Sequence, residues 1–232
     1  MINEILFIVA VLVNFLFILF ATRFGRGGLI LMMSVNMILV STFAPKLITV
    51  FGLLSNVGNI FYGSLFLASN LLIERYGKQA GYSAIWISFA GNILFIVMGQ
   101  FALRLLGDPA SLMVSDALSL VFSNVPRIAL ASIAAYLTVQ YFNVWFYSWI
   151  KEKTAGGRLW LRHIASSTLA QFFDSIIFFT IAFVGVMETS VLIQAILVGF
   201  FLKTCIGVAS TACMYLAPLI ASEEESKVAH AD

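Results

Sequence analysis

Long hydrophobic runs constrain this chain more than any other feature. The first reads "ILFIVAVLVNFLFILFA" from residue 5 onward, and comparable runs recur along almost the whole sequence. A helix rises about 1.5 Å per residue, so about 20 apolar residues cross the ~30 Å hydrocarbon layer of a bilayer. Lipid offers no partner to exposed backbone groups, which leaves helices or a closed barrel as spanning structures. The runs are continuous rather than alternating, and this excludes the barrel. The expected fold is all-α and polytopic, with one transmembrane domain over 1–222 and a short acidic tail over 223–232.

Hydropathy places about seven spans, at 4–22, 28–50, 54–73, 80–103, 127–150, 160–185 and 190–217. Residues 105–126 are semi-apolar but broken by Asp108, Pro109, Asp116 and Pro126, and read as an interfacial or re-entrant segment. The first run has no basic residues before it and no small-residue cleavage site after it, so it reads as a retained span. Only 10% of the 232 residues are charged, far below the quarter usual in globular domains. Basic residues sort by side. Arg23, Arg26, Arg75, Lys78, Lys151, Lys153, Arg158, Arg162 and Lys227 fall in alternate connections. Lys46, Arg104 and Arg127 lie opposite. That split puts the amino terminus outside and the carboxyl terminus inside.

Charges within spans are the informative residues, because one at mid-bilayer costs at least ~2.5–3.5 kcal/mol on insertion scales. Asp174 stands in "QFFDSIIFF", halfway along the sixth span, and Lys203 halfway along the seventh. Adjacent antiparallel helices bring such residues to one depth, where pairing lowers the cost. A static ion pair and a substrate or proton site are the two readings. Ser167, Gln171 and Asp174 share a helix face, as do Asn56, Asn59, Gly63, Asn70 and Glu74, and Ser132, Tyr136, Gln140 and Asn143. Four polar-faced helices with abundant aromatics suit a cavity for a small planar polar molecule.

Other chemistries find little support. Cys205 and Cys213 make no disulfide or metal framework. His163 and His230 are read as lying in a loop and a tail, with no ligand cluster. There is no filter loop, no G-x-S-x-G, no H-E-x-x-H and no paired intramembrane aspartates. No catalytic residue, metal or cofactor is therefore assigned, and the net charge of +2 does not point to nucleic acid. Residues alone lead to a small-molecule transporter.

Four segments carry a resemblance. "SNLLIERYGKQAG" (69–81), "VPRIALASIAAYLTVQYFNVWFYSWIK" (125–151), "ASSTLAQFFDSIIFFTIAF" (165–183) and "FLKTCIG" (201–207) together resemble the queuosine precursor transporter family, a branch of the vitamin uptake transporters. The resemblance covers about 31–217, with the first span as an extension ahead of the family core. It implies a six-helix core like the substrate-binding subunits of energy-coupling-factor transporters. It also implies uptake of a deazapurine base, 7-cyano-7-deazaguanine or its aminomethyl relative, for tRNA modification across a prokaryotic cell membrane. On this reading Asp174, Lys203, Gln171, Gln140, Asn143, Asn70, Arg127, Glu74, Tyr136 and Ser167 are the candidate substrate-binding residues. Asn70 and Asn143 stand where the family usually carries aspartate. A stand-alone secondary transporter or facilitator leads. A binding subunit served by separate energy-coupling subunits comes second, and a membrane enzyme or structural subunit third. A homodimer is left open.

Overall fold

The computed structural model describes residues 1–122, 126–186 and 188–220, with the backbone alone at 126–129. Eight helices carry the described fold: α1 (Ile2–Ala21), α2 (Gly25–Phe43), α3 (Gly58–Arg104), α4 (Leu112–Phe122), α5 (Pro126–Lys153), α6 (Leu159–Phe183), α7 (Thr189–Ala209) and α8 (Thr211–Ile220). Four helical stretches among the described residues are long and apolar enough to cross a membrane: Ile2–Phe43, Gly58–Arg104, Leu159–Phe183 and Thr189–Ile220. The fold is an all-α polytopic membrane architecture.

The two longest stretches double back. At 47 residues α3 would measure ~70 Å if straight, but Gly77 (φ 74°, ψ 175°) breaks it into arms over 58–76 and 78–104. That conformation is open to glycine and strained for other residues. The chain bends sharply there, since a Cβ added at Gly81 would lie 3.0 Å from Ile73 on the other arm. Similarly α1 and α2 turn at Gly25 (φ 63°). Asn14 Nδ2 donates to Asn36 Oδ1 at 2.6 Å between them. Ser34 to Ser88 and Ser41 to Asn92 set α2 parallel to the second arm of α3.

The second hydrophobic run is shorter than its hydropathy predicts. Helix α2 stops at Phe43, and Pro45 then opens a hairpin of β1 (Leu47–Val50) and β2 (Leu53–Asn56), paired antiparallel with Leu47 opposite Asn56. Phe51 and Gly52 make its turn, both at positive φ. Val57 N–H donates to Lys46 O at 3.0 Å and closes its base. Asn3 and Glu4 of α1 bond the hairpin backbone at Thr49 O and Phe51 N–H. A proline followed by β-branched residues ends the helix, although the segment remains apolar enough to extend a hydropathy window. Residues 105–122 contain a turn and α4, whose apolar side chains are largely exposed. Phe122 anchors α4 against Phe95, the rings tilted by 49° with centroids 5.1 Å apart.

The protein interior and its outer surface are both apolar. Ile18, Leu29, Met33, Leu65, Leu72 and Ile85 are fully buried, while Leu16, Phe17, Leu94, Leu130 and Leu197 are exposed. Lipid rather than water matches such a surface. The polar residues are concentrated inside, where the first arm of α3 meets α5, α6 and α7.

Candidate functional site

Asp174 and Lys203 meet. Lys203 Nζ lies 2.7 Å from Asp174 Oδ2, with side chains 7% and 5% exposed. The register follows from the antiparallel packing of α6 on α7, in which Gly207 lies against Gln171 and Gly199 against Phe179. Tyr62 completes the group from the first arm of α3. Its hydroxyl donates to Asp174 Oδ1 at 2.5 Å, and Lys203 Nζ sits 4.7 Å from its ring centroid. Hydropathy gives no reason to separate Tyr62 from the other aromatics of the chain. Only its position four residues after Gly58, on the polar face of α3, marks it.

One turn along α6, Gln171 is fully buried, as is Gln140 on α5. Neither amide has a hydrogen-bond partner at oxygen or nitrogen, and Ser175 Oγ and Thr204 Oγ1 beside the ion pair also lack one. A buried polar group left unbonded costs about 1–3 kcal/mol. Four such atoms on two amides, together with two hydroxyls, are therefore expensive as a purely structural arrangement. Gly207 lets Gln171 approach α7 closely: a Cβ there would sit 3.0 Å from its Nε2. Tyr136 is buried on the same helix as Gln140. Ser167, also buried, donates to the backbone carbonyl of His163 at 2.6 Å.

A second polar layer joins four elements. Asn143 Nδ2 donates to Asn70 Oδ1 at 2.9 Å. Asn70 Nδ2 lies 2.9 Å from His163 Nδ1, and His163 Nε2 lies 2.8 Å from Ser210 Oγ. Ser210 uses its single hydrogen on Gly207 O at 2.7 Å. The order fixes the directions: Nε2–H donates to Ser210, and Nδ1 accepts from Asn70. Sequence reading places His163 in a loop, but it is fully buried within α6. The basic residues around it resemble a loop, yet Arg162 is buried and its charge is spent inside the bundle. Arg162 Nη2 and Nε reach Glu74 Oε1 and Oε2 at 2.8 and 2.9 Å.

Glu74 consequently lies elsewhere than Asp174. Twelve residues of helix, ~18 Å, separate it from Tyr62. It accepts further bonds from the Tyr147 hydroxyl at 2.7 Å and, at its backbone oxygen, from Lys151 at 2.7 Å. Arg162 also donates to the carbonyls of Gly156 and Gly157. This cluster clamps α3, α5 and α6 at the end of the bundle near Gly77. Of the ten candidate residues, Asp174 and Lys203 form one group, Asn70 and Asn143 another, and Glu74 a third. The side chain of Arg127 and the tail over 223–232 lie outside the described residues. Among the described residues there is no cluster of three or more metal-ligating side chains.

Amides and charges are thus buried inside an apolar bundle. The model of the family described as "Putative vitamin uptake transporter" matches residues 56–217. The chain belongs to this family of membrane transporters. It is also 31% identical over 232 residues to the "Probable queuosine precursor transporter" of Bacillus subtilis (strain 168), an alignment covering 97% of this chain and all of that relative. The family model begins just before α3, whereas the relative also spans α1, so the first helix is shared with it rather than peculiar to this chain. No solved structure matches the chain.

Proposed function

We propose that this vitamin uptake transporter imports a queuosine precursor, a deazapurine base such as 7-cyano-7-deazaguanine or its aminomethyl relative, as a stand-alone carrier. The observation that supports this most strongly is the pair of buried, unpartnered amides, Gln140 on α5 and Gln171 one turn from Asp174 on α6. A guanine-type base presents a ring N–H, an exocyclic amine and a carbonyl along one edge. A carboxylate accepts from the first two, while primary amides serve as donor or acceptor to the remaining atoms. The name of the Bacillus subtilis relative points to the same substrate class.

In this reading the chain crosses the membrane seven times, with α1, α2, the two arms of α3, α5, α6 and the α7–α8 stretch alternating in direction. The amino terminus faces outward, and the Glu74–Arg162 clamp faces the cytoplasm. Asn70, Asn143 and Ser167 line the route between the ion pair and that clamp.

The test is uptake of labelled 7-cyano-7-deazaguanine by cells unable to synthesise it, with guanine as competitor. The expected result is accumulation that depends on this chain and continues when no energy-coupling ATPase is present. Protein that reaches the membrane but supports no accumulation of any deazapurine overturns the proposal.

A further inference from the structure

We propose that Tyr62 is a positioning residue that selects which lone pairs of Asp174 the substrate meets, and thereby enforces a base bearing adjacent ring N–H and amine donors. The proposal rests on the reading of Asp174 as the base-binding group and adds to it a residue and a specificity rule.

The geometry is one of occupancy. A carboxylate offers four lone-pair sites, two on each oxygen. Tyr62 takes one on Oδ1 and Lys203 takes one on Oδ2. One site therefore remains on each oxygen. Two adjacent acceptors fit two adjacent donors, the match that makes the guanidinium–carboxylate fork strong. A base with only one donor on that edge leaves one lone pair of a buried carboxylate unsatisfied.

Tyr62 is well held for this task. It is 6% exposed, and its ring meets Phe66 edge-on with centroids 5.7 Å apart. One residue further on, Gly63 brings α3 against Ile206 of α7, where a Cβ would come within 2.8 Å of that side chain. The same ring lies 4.7 Å from the Lys203 ammonium, within cation–π range. One side chain thus orients both members of the ion pair. Without its hydroxyl, Oδ1 regains a free site, and the carboxylate turns towards the three ammonium donors of Lys203. The paired acceptors then no longer face the base.

The experiment compares competition by unlabelled 7-cyano-7-deazaguanine with competition by the analogue lacking its exocyclic amine, against labelled uptake. For the unaltered protein the analogue competes about 10- to 100-fold more weakly, the worth of one hydrogen bond to a charged group. In Tyr62→Phe, which keeps the ring beneath Lys203, the ratio falls to about threefold or less. Half-saturation for the complete base rises about tenfold. The ratio is independent of protein amount, so a purely structural role for Tyr62 leaves it unchanged. If Tyr62→Phe reaches the membrane but is inactive, equilibrium binding of the two bases to purified protein reads the same ratio. An unchanged ratio in Tyr62→Phe, with uptake intact in the unaltered protein, overturns this inference alone. Absence of uptake by the unaltered protein overturns the parent reading and this one with it.

Discussion

Neutralising Asp174 alone should harm the protein more than removing the whole ion pair. The two charges lie 2.7 Å apart at 7% and 5% exposure. With an effective dielectric of about 20, their attraction is about 6 kcal/mol, set against a desolvation cost of several kcal/mol per ion. The pair is therefore near balance as a whole. Asp174→Asn leaves the Lys203 ammonium buried with a neutral amide and the Tyr62 ring, a loss of about 3–5 kcal/mol. Lys203→Met strands the carboxylate at a similar cost, with Tyr62 as its remaining donor. The double variant Asp174→Asn, Lys203→Met removes both charges and should return to within about 1 kcal/mol of the parent. Thermal unfolding of the four proteins in one detergent closes the cycle, with an expected coupling of at least about 2 kcal/mol. Uptake should stay abolished in the double variant although its stability returns, because in the proposed function the base then lacks its carboxylate. Additive single effects, with coupling below about 0.5 kcal/mol, would refute the reasoning that the pair sits in a low-dielectric interior.

Two further outcomes follow from the hydrogen bonding. Gln140→Leu and Gln171→Leu each remove two unpartnered polar atoms from full burial, so each variant should melt at or above the parent temperature while uptake falls at least about tenfold. A gain of up to about 1–3 kcal/mol per site is expected, and lower stability in both variants would mean the amides are bonded after all. Glu74→Gln keeps the shape of the clamp but leaves the 3% exposed Arg162 side chain without its counter-charge. Hydrogen exchange should rise at the ends of α5 and α6 near residues 150–162, while the affinity for base, which the proposed site sets ~18 Å away, changes less than about threefold.

The broad architecture was legible in the sequence, and for a definite reason. Runs of about 20 apolar residues have no stable solution other than helices in lipid. The depth match of Asp174 and Lys203 followed from counting along two adjacent spans. The polar stripes were also legible, since helical spacing alone aligns Asn70 with Glu74, and Gln140 with Asn143. The ends of elements were harder. "APKLITVFGLLSN" is as apolar as a span, so hydropathy carried the second run through what is a β-hairpin, and only the Phe-Gly pair at 51–52 marks its turn.

What tertiary structure alone decided is which polar groups share a layer. Tyr62 meets Asp174 across 112 positions of sequence, Glu74 meets Arg162 across 88, and Asn70 meets His163 across 93. Such pairings depend on how α3 packs between α5, α6 and α7, and local sequence does not encode that. Lipid removes the usual guide as well. In water, the apolar face of a helix points inward, but here both Leu65 in the core and Leu94 on the outside are apolar, so periodicity identifies polar faces without ranking their partners. The sequence by itself determined a helical membrane carrier with a charge on each of its last two long helices. The folded chain decided that Tyr62 touches both of those charges, that His163 lies within the core, and that Glu74 belongs to a clamp at the far end.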